Sequence, residues 1–225
     1  MIHELIKAEE KALQLFAEIE IRGFFEPGIT EKDLNDRVFD LADELFGIKK
    51  YWHKRIVRAG KNTLLPYREN PENLTLRDDE ILFLDFGPVF DEWEADFGRT
   101  YVIGNDSDKL QLKKDVEDAW YEGQKYFTKH QHELTGASFY KYTQELAIKY
   151  KWEFGNLHCG HLVGNFPHER ILGDEINNYF HRDNDIKVSD LDILGQPRYW
   201  IYEMHLVNRE KEIGAFFEQL VSSIV

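Results

Sequence analysis

From Ile81 to Ile103 the chain carries two apolar runs around a short polar turn, and each run holds one aspartate. Few folds accommodate that pattern. Apolar runs of this length on either side of a turn read as a β-hairpin. A reversal near Phe90 and Asp91 sets Asp85 opposite Asp96, with Cβ atoms roughly 5 Å apart. Like charges repel at that range. Two carboxylates buried among Ile, Leu, Phe and Val must share a proton or hold a cation, because an isolated buried carboxylate is very costly.

The same organisation recurs near the end of the chain. Arg198 to Val221 holds two apolar runs around Asn208 to Glu212, so a reversal near Glu210 and Lys211 sets Glu203 opposite Glu218. Each hairpin follows a pair of helical patterns. In the first half, Leu5, Ala8, Ala12, Leu15, Phe16 and Ile19 recur at helical spacing until Glu26-Pro27-Gly28. Thr30 then looks like the cap of a second helix with the stripe Leu34, Val38, Leu41 and Leu45, closed by Gly47. In the second half, Ser107 can cap a helix with the stripe Leu112, Val116, Trp120 and Phe127, and Gly136 to Ser138 introduces one through Phe139, Tyr142, Leu146 and Tyr150. Between the helices and hairpins, Arg55 to Ala59 reads as extended, Gly60 to Pro71 as loop, and Trp152 to Arg198 as a long irregular stretch.

This is a weak repeat of helix, helix and acid-bearing hairpin. The expected fold class is α+β: two pseudo-symmetric halves, about 1–104 and 105–225, forming a curved central antiparallel sheet with helices outside. Residues 1–225 are expected to make a single domain. Packed about a two-fold axis, the halves gather four carboxylates at the sheet centre. Two divalent cations would balance them, and an oxygen-rich ligand set suits Mn, Co, Zn or Fe.

Composition narrows the partners. A net charge of -14 and a pI near 5.1 leave no basic cluster for nucleic acid or an anionic membrane surface. With 5 Trp, 11 Tyr and 16 Phe the chain is no acidic disordered protein. Its one cysteine, Cys159, precludes an internal disulfide, fits the cytoplasm, and is expected simply to pack. Met1 to Phe25 is studded with Glu and Lys and lacks the apolar core of a signal peptide, and no run is long enough to span a bilayer.

Within GNLHCGHLVGNFPHER, Gly155 to Arg170, the histidines are His158, His161 and His168. The chain resembles the pita-bread metallopeptidase family, which includes methionine aminopeptidase, aminopeptidase P and prolidase. The resemblance rests on Asp85, on Asp96 eleven residues later within ADFGRT, on His161 within GHLVG, and on Glu203 and Glu218, and it runs from the Pro27 to Glu31 turn to Phe216-Phe217-Glu218. It implies a pita-bread fold and two metal ions, with Asp96 and Glu218 bridging, Asp85 completing one site, and His161 with Glu203 completing the other. It further implies a metallo-aminopeptidase or dipeptidase, in which a water shared by the cations becomes the nucleophile. Glu203 would shuttle the proton, His168 would contact the substrate near the scissile carbonyl, and the substrate would be a peptide with a free N-terminus.

Three positions depart from that pattern. Tyr67, in KNTLLPYREN, stands where the family carries a catalytic His, and His53 in YWHKR is the candidate to occupy the same space. A phenol with pKa about 10 is a poor proton carrier at neutral pH. Leu162 stands where methionine aminopeptidase has Gly, which predicts a bulkier pocket floor, and the connection from Glu203 to Glu218 is short for that enzyme. Arg99 and His205 lie near ligands in sequence and could orient them. Unlike aminopeptidase P and prolidase, the chain is expected to have no separate N-terminal domain to shape access, so specificity is expected to come from its own loops or from a partner subunit. Two function classes remain: an active exopeptidase, monomeric or homodimeric, and a silent homologue that binds a peptide or protein.

Overall fold

The computed structural model describes residues 1–65, 67–167, 175–192 and 194–222. Helices α1 (Ile2–Ile21) and α2 (Glu31–Phe46) open the chain. All six apolar residues of the first stripe are buried. Thr30 caps α2, its hydroxyl accepting the Asp33 N–H at 3.1 Å, and Gly47 ends it in a left-handed conformation at φ 66°. Strand β1 (Ile56–Ala59) and a 3-10 turn at Gly60–Leu64 follow. Then come β2 (Glu80–Phe86), β3 (Val89–Phe90), β4 (Trp93–Glu94) and β5 (Phe97–Ile103).

The second half repeats this order with α3 (Ser107–His130), α4 (Gly136–Lys149), β6 (Glu153–Phe154), β7 (His158–His161), β8 (Tyr179–His181), β9 (Ile201–Asn208) and β10 (Ile213–Leu220). Asp106, one residue before the expected Ser107, caps α3 by accepting the Asp108 and Lys109 N–H groups. An aspartate offers a charged acceptor at a helix N-terminus, so it outcompetes the adjacent serine. Thr135 and Ser138 form a reciprocal capping box at α4. The stretch from Trp152 to Arg198, expected to be irregular, contributes three short strands.

Six strands form one antiparallel sheet in the order β1-β2-β5-β10-β9-β6, so the first half's three strands meet the second half's across the β5–β10 seam. The pseudo-two-fold axis lies on that seam. Side chains alternate across the sheet. Leu82, Leu84, Phe86, Phe97 and Tyr101 join α1 and α2 in one core, while Tyr202, Met204, Leu206, Ala215 and Phe217 join α3 and α4 in another. Asp85, Glu203 and Glu218, being of opposite parity, point away from both helical layers.

Register explains where each acid lands. Glu203 pairs with Glu218, as the second hairpin predicts. The first hairpin differs: Asp85 pairs with Gly98 rather than facing Asp96. The turn residues are Asp91 and Glu92, both at positive φ (50° and 69°), in a two-residue connection between Phe90 and Trp93. This places the reversal one residue later than expected and shifts the pairing by two. Gly98 also pairs with Glu218. Asp85, Gly98, Glu218 and Glu203 therefore form one row across four strands, and Gly98 is the pseudo-symmetric counterpart of Glu218. A Cβ at Gly98 would lie 2.6 Å from the Phe216 ring and 3.0 Å from the Glu218 Cβ.

Side chains stitch the seam. The Thr100 hydroxyl accepts the Phe216 N–H at 2.7 Å and donates to the Phe216 carbonyl at 2.8 Å. Arg99 donates to the carbonyls of Gly98 and Glu218 and to the Gln219 side chain, and its guanidinium lies 3.7 Å from the ring centroids of both Phe97 and Phe217. Thr100→Val keeps the shape but strands a buried N–H and C=O, which should cost about 2 kcal/mol. Urea unfolding should show this as a lower midpoint at unchanged m-value, and an unchanged midpoint would refute the stitch.

Candidate metal centre

The sheet row supplies three carboxylates, and loops deliver the rest. Asp96 sits in the register position facing Gly87, just before β5, and β7 ends on His161. All four acids and His161 are buried, Asp96 and Glu218 with only 2% of their surface exposed. His161 Nε2 lies 3.0 Å from Asp96 Oδ2 and 3.8 Å from both Glu203 Oε1 and Glu218 Oε1. Four of the five ligands expected from the sequence, Asp96, His161, Glu203 and Glu218, thus converge.

His53 joins them from the segment before β1, with Nε2 3.1 Å from Asp96 Oδ1 and 3.6 Å from Asp85 Oδ1. Trp52 fixes this segment by donating its backbone N–H to the Gly87 carbonyl at 2.9 Å and its indole N–H to the Ala95 carbonyl at 3.0 Å. Gly87 makes the approach possible: a Cβ there would fall 2.2 Å from His53 Cδ2. Donor atoms close enough to share one ion form two groups, His53 with Asp85 and Asp96, and Asp96 with His161 and Glu218. Asp96 belongs to both.

Other sequence expectations sort differently. The Tyr67 hydroxyl accepts the Lys54 N–H at 3.3 Å, and its ring packs 5.7 Å from that of His53, the residue that actually meets the carboxylates. His168 lies outside the described residues. His205 is buried and bonds the Thr63 carbonyl through Nε2 at 2.8 Å, so it anchors the 3-10 turn to β9. Arg99 touches Glu218 through its backbone carbonyl and holds its strand. Leu162 packs in the second-half core, and Cys159 is buried there too, its thiol pushed well up by burial. Asn156, not singled out in the sequence, donates to Glu203 Oε2 at 3.2 Å, and His158 Nδ1 lies 3.4 Å from Glu203 Oε1. Neither has a sequence signal beyond the GNLHCGH loop itself.

The electrostatics follow from the crowding of buried acids. Burial, and then the neighbouring acids, push Asp85 up to about 7 against the pull of His53. Burial followed by Asp96 and Asp85 holds Glu218 well above the carboxylate range. Burial also opposes the charged Asp96, but His53 and His161 outweigh it and hold that carboxyl far below its ordinary range. For His53, burial disfavours the cation, yet Asp96 and Asp85 raise it to about 9. Glu218 Oε2 is buried with no hydrogen-bond partner among the described residues. An orphaned carboxylate oxygen in a set of hard oxygen and borderline nitrogen donors fits divalent cations.

The model of metallopeptidase family M24 matches residues 3–221. The chain belongs to that family. It is 26% identical over 170 residues to the "Putative Xaa-Pro aminopeptidase" of Mycoplasma pneumoniae, covering 73% of this chain but 47% of that relative. The chain thus spans about half the length of that curated relative. Among solved structures, a dipeptidase from Pyrococcus horikoshii superimposes with a TM-score of 0.71 at 19% identity, over 95% of this chain and 55% of that one. Methionine aminopeptidase from Rickettsia prowazekii gives 0.69 at 17% identity, over 97% and 91%. At these identities the likeness shows the fold, which is the expected pita-bread fold. Among the described residues no helix is long and apolar enough to cross a membrane.

The raised groups fix the pH response of the chelated chain. Asp85, raised to about 7, contributes stability that is complete below its unfolded value and lost as pH rises through 7. His53, raised to about 9, contributes stability that is complete below pH about 6.5 and lost as pH rises through 9. Metal-free protein should therefore unfold at progressively lower urea as pH climbs from 6 to 9.5. Saturating divalent metal should abolish the decline; a midpoint flat with pH in the chelated protein would contradict these environments.

Proposed function

We propose that this chain is a dinuclear metal-dependent exopeptidase, similar to aminopeptidase P and prolidase, that hydrolyses the first peptide bond of a substrate with a free N-terminus. The observation that carries the reading is Asp96: one buried carboxylate addressed through Oδ1 by one donor group and through Oδ2 by the other. Such a group is placed to bridge two ions. Glu218, with one oxygen near His161 and the other unpartnered, is assigned the second bridge. Asp85 completes one site; His161 and Glu203 complete the other. Mn, Co, Zn or Fe would fit. When bound, two such ions supply Lewis acidity toward a carbonyl and lower the pKa of a coordinated water.

The remaining steps fall to the chain's own residues. Glu203 takes up a proton and returns it to the leaving amine, its carboxylate oriented by the Asn156 amide on one oxygen. The acidic surroundings suit the α-ammonium of a free N-terminus and disfavour an acidic one. Xaa-Pro peptides are the first substrates to try, because the named relative is described by that activity. The alternative of a silent binding homologue is disfavoured by the five ligand residues being present and convergent.

Metal-loaded protein should hydrolyse members of a short free-amino peptide panel that includes Xaa-Pro substrates, lose activity on chelation and regain it on metal addition. Inertness toward the whole panel would overturn the enzyme reading. Asp96→Ala and Glu218→Ala should each abolish binding of both ions and lower kcat/KM on the order of 10³-fold or more; two tightly bound ions in either variant would refute the bridging assignment. Tyr67→Phe should leave kcat/KM nearly unchanged, since that hydroxyl serves a backbone N–H at a half-exposed position. A large loss would restore Tyr67 as a catalytic donor.

A further inference from the structure

His53 is built into the centre in the same way as His161. Its Nδ1 lies 2.7 Å from the Lys54 carbonyl, and the Nδ1 of His161 lies 2.8 Å from the Leu162 carbonyl. A carbonyl only accepts, so both Nδ1 atoms carry the hydrogen. In each neutral ring the unprotonated Nε2 then faces carboxylate oxygens. Two lone pairs aimed at each other repel unless a proton or a cation stands between them.

The spacing is also that of donors sharing one ion. Donors bound to one ion at about 2.1 Å stand roughly 3.0 Å apart at right angles and about 3.4 Å apart in a tetrahedron. His53 Nε2 is 3.1 and 3.6 Å from the nearest oxygens of Asp96 and Asp85, and His161 Nε2 is 3.0 Å from Asp96. The two imidazoles thus take opposite oxygens of the same carboxylate. Metal-binding histidines commonly show this arrangement, with the second nitrogen fixed by a carbonyl so that the first is presented as a ligand.

We infer that His53 is itself a metal ligand through Nε2, joining Asp85 and Asp96, so that each half of the centre carries one histidine. The family resemblance supplies a single histidine, His161, and places an acid–base group where Tyr67 stands. A nitrogen donor at both sites moves preference away from hard ions such as Mg and toward Zn, Co or Fe. The inference rests on the metallopeptidase reading for the presence of two ions, but it can fail separately.

The test is the Co(II)-loaded full chain, examined by proton NMR and calorimetry. Each ligated histidine contributes one exchangeable, paramagnetically shifted Nδ1–H line. Two equivalents of Co(II) should give two such lines, one lost in His53→Ala and the other in His161→Ala. His53→Ala should also weaken one Co(II) site by about 10- to 100-fold while sparing the other. His53→Gln serves the same purpose if the alanine variant does not fold, and the wild-type spectrum stands without either.

Two bound ions with a line from His161 and none from His53 would overturn the inference, as would unchanged Co(II) affinity in a folded His53 variant. If that result came with peptide hydrolysis, the enzyme reading would survive and the ligand assignment alone would fall. Conversely, a His53 line in a protein that cleaves no peptide would uphold the ligand and sink the enzyme. A chain that binds no Co(II) would overturn both.

Discussion

Four carboxylates are buried on one face of a sheet whose other face is filled by helices, and the rest of the molecule is arranged around making that tolerable. Burying a single unpaired carboxylate is costly enough that the group normally takes up a proton instead. Here the acids are too close for all to stay charged without help. The response differs from acid to acid: Asp96 keeps its charge between two imidazoles, while Asp85 and Glu218 are driven toward protonation. The helices add nothing to this balance, because alternation along the strands keeps their apolar layers on the far side. They supply the burial and leave neutralisation to the histidines and to bound cations.

The pseudo-two-fold axis organises the scaffold but not the chemistry. Asp85 and Glu203 occupy equivalent positions, and Glu218 is matched by Gly98. A second acid at position 98 would collide with Phe216 and Glu218. The fourth carboxylate enters from outside the row instead, as Asp96 facing Gly87. That displacement lets Asp96 present both oxygens to different histidines, which a residue within the row would be poorly placed to do. The seam is thus asymmetric where the acids meet and conventional on the helical face, where Arg99 clamps β5 to β10 between two aromatic rings.

Much of this was readable from the residues in order. Helix stripes were legible because the period of 3.6 is local, and the residues of the α1 stripe are those the core buries. Glu203 facing Glu218 was legible because β9 and β10 run unbroken into their turn. The first hairpin hid its register: Gly87 and Pro88 interrupt it, and Asp91 and Glu92 adopt a left-handed turn that residue type alone does not announce. His53 was the hardest to place. It reaches the acids through the close approach allowed by Gly87 and the anchoring of Trp52, both long-range facts with no periodic signature. Likewise Asn156 and His158 meet Glu203 only after β7 has been set beside β9.

On the proposed reading, protons and metal ions compete for the same atoms in this centre, and that competition ties stability to function. Raising the pH strips Asp85 and His53 of protons, which increases repulsion among the acids in the metal-free chain. The same loss frees their lone pairs for a cation, so metal affinity must rise over the range in which the empty centre becomes less stable. The ordering of the site is therefore not a fixed property of the sheet. It is shared between a scaffold that brings the acids together and a counter-charge that keeps them there. A substitution that only rearranges that counter-charge, such as one at Gly87 or Trp52, would reach the chemistry without touching a carboxylate.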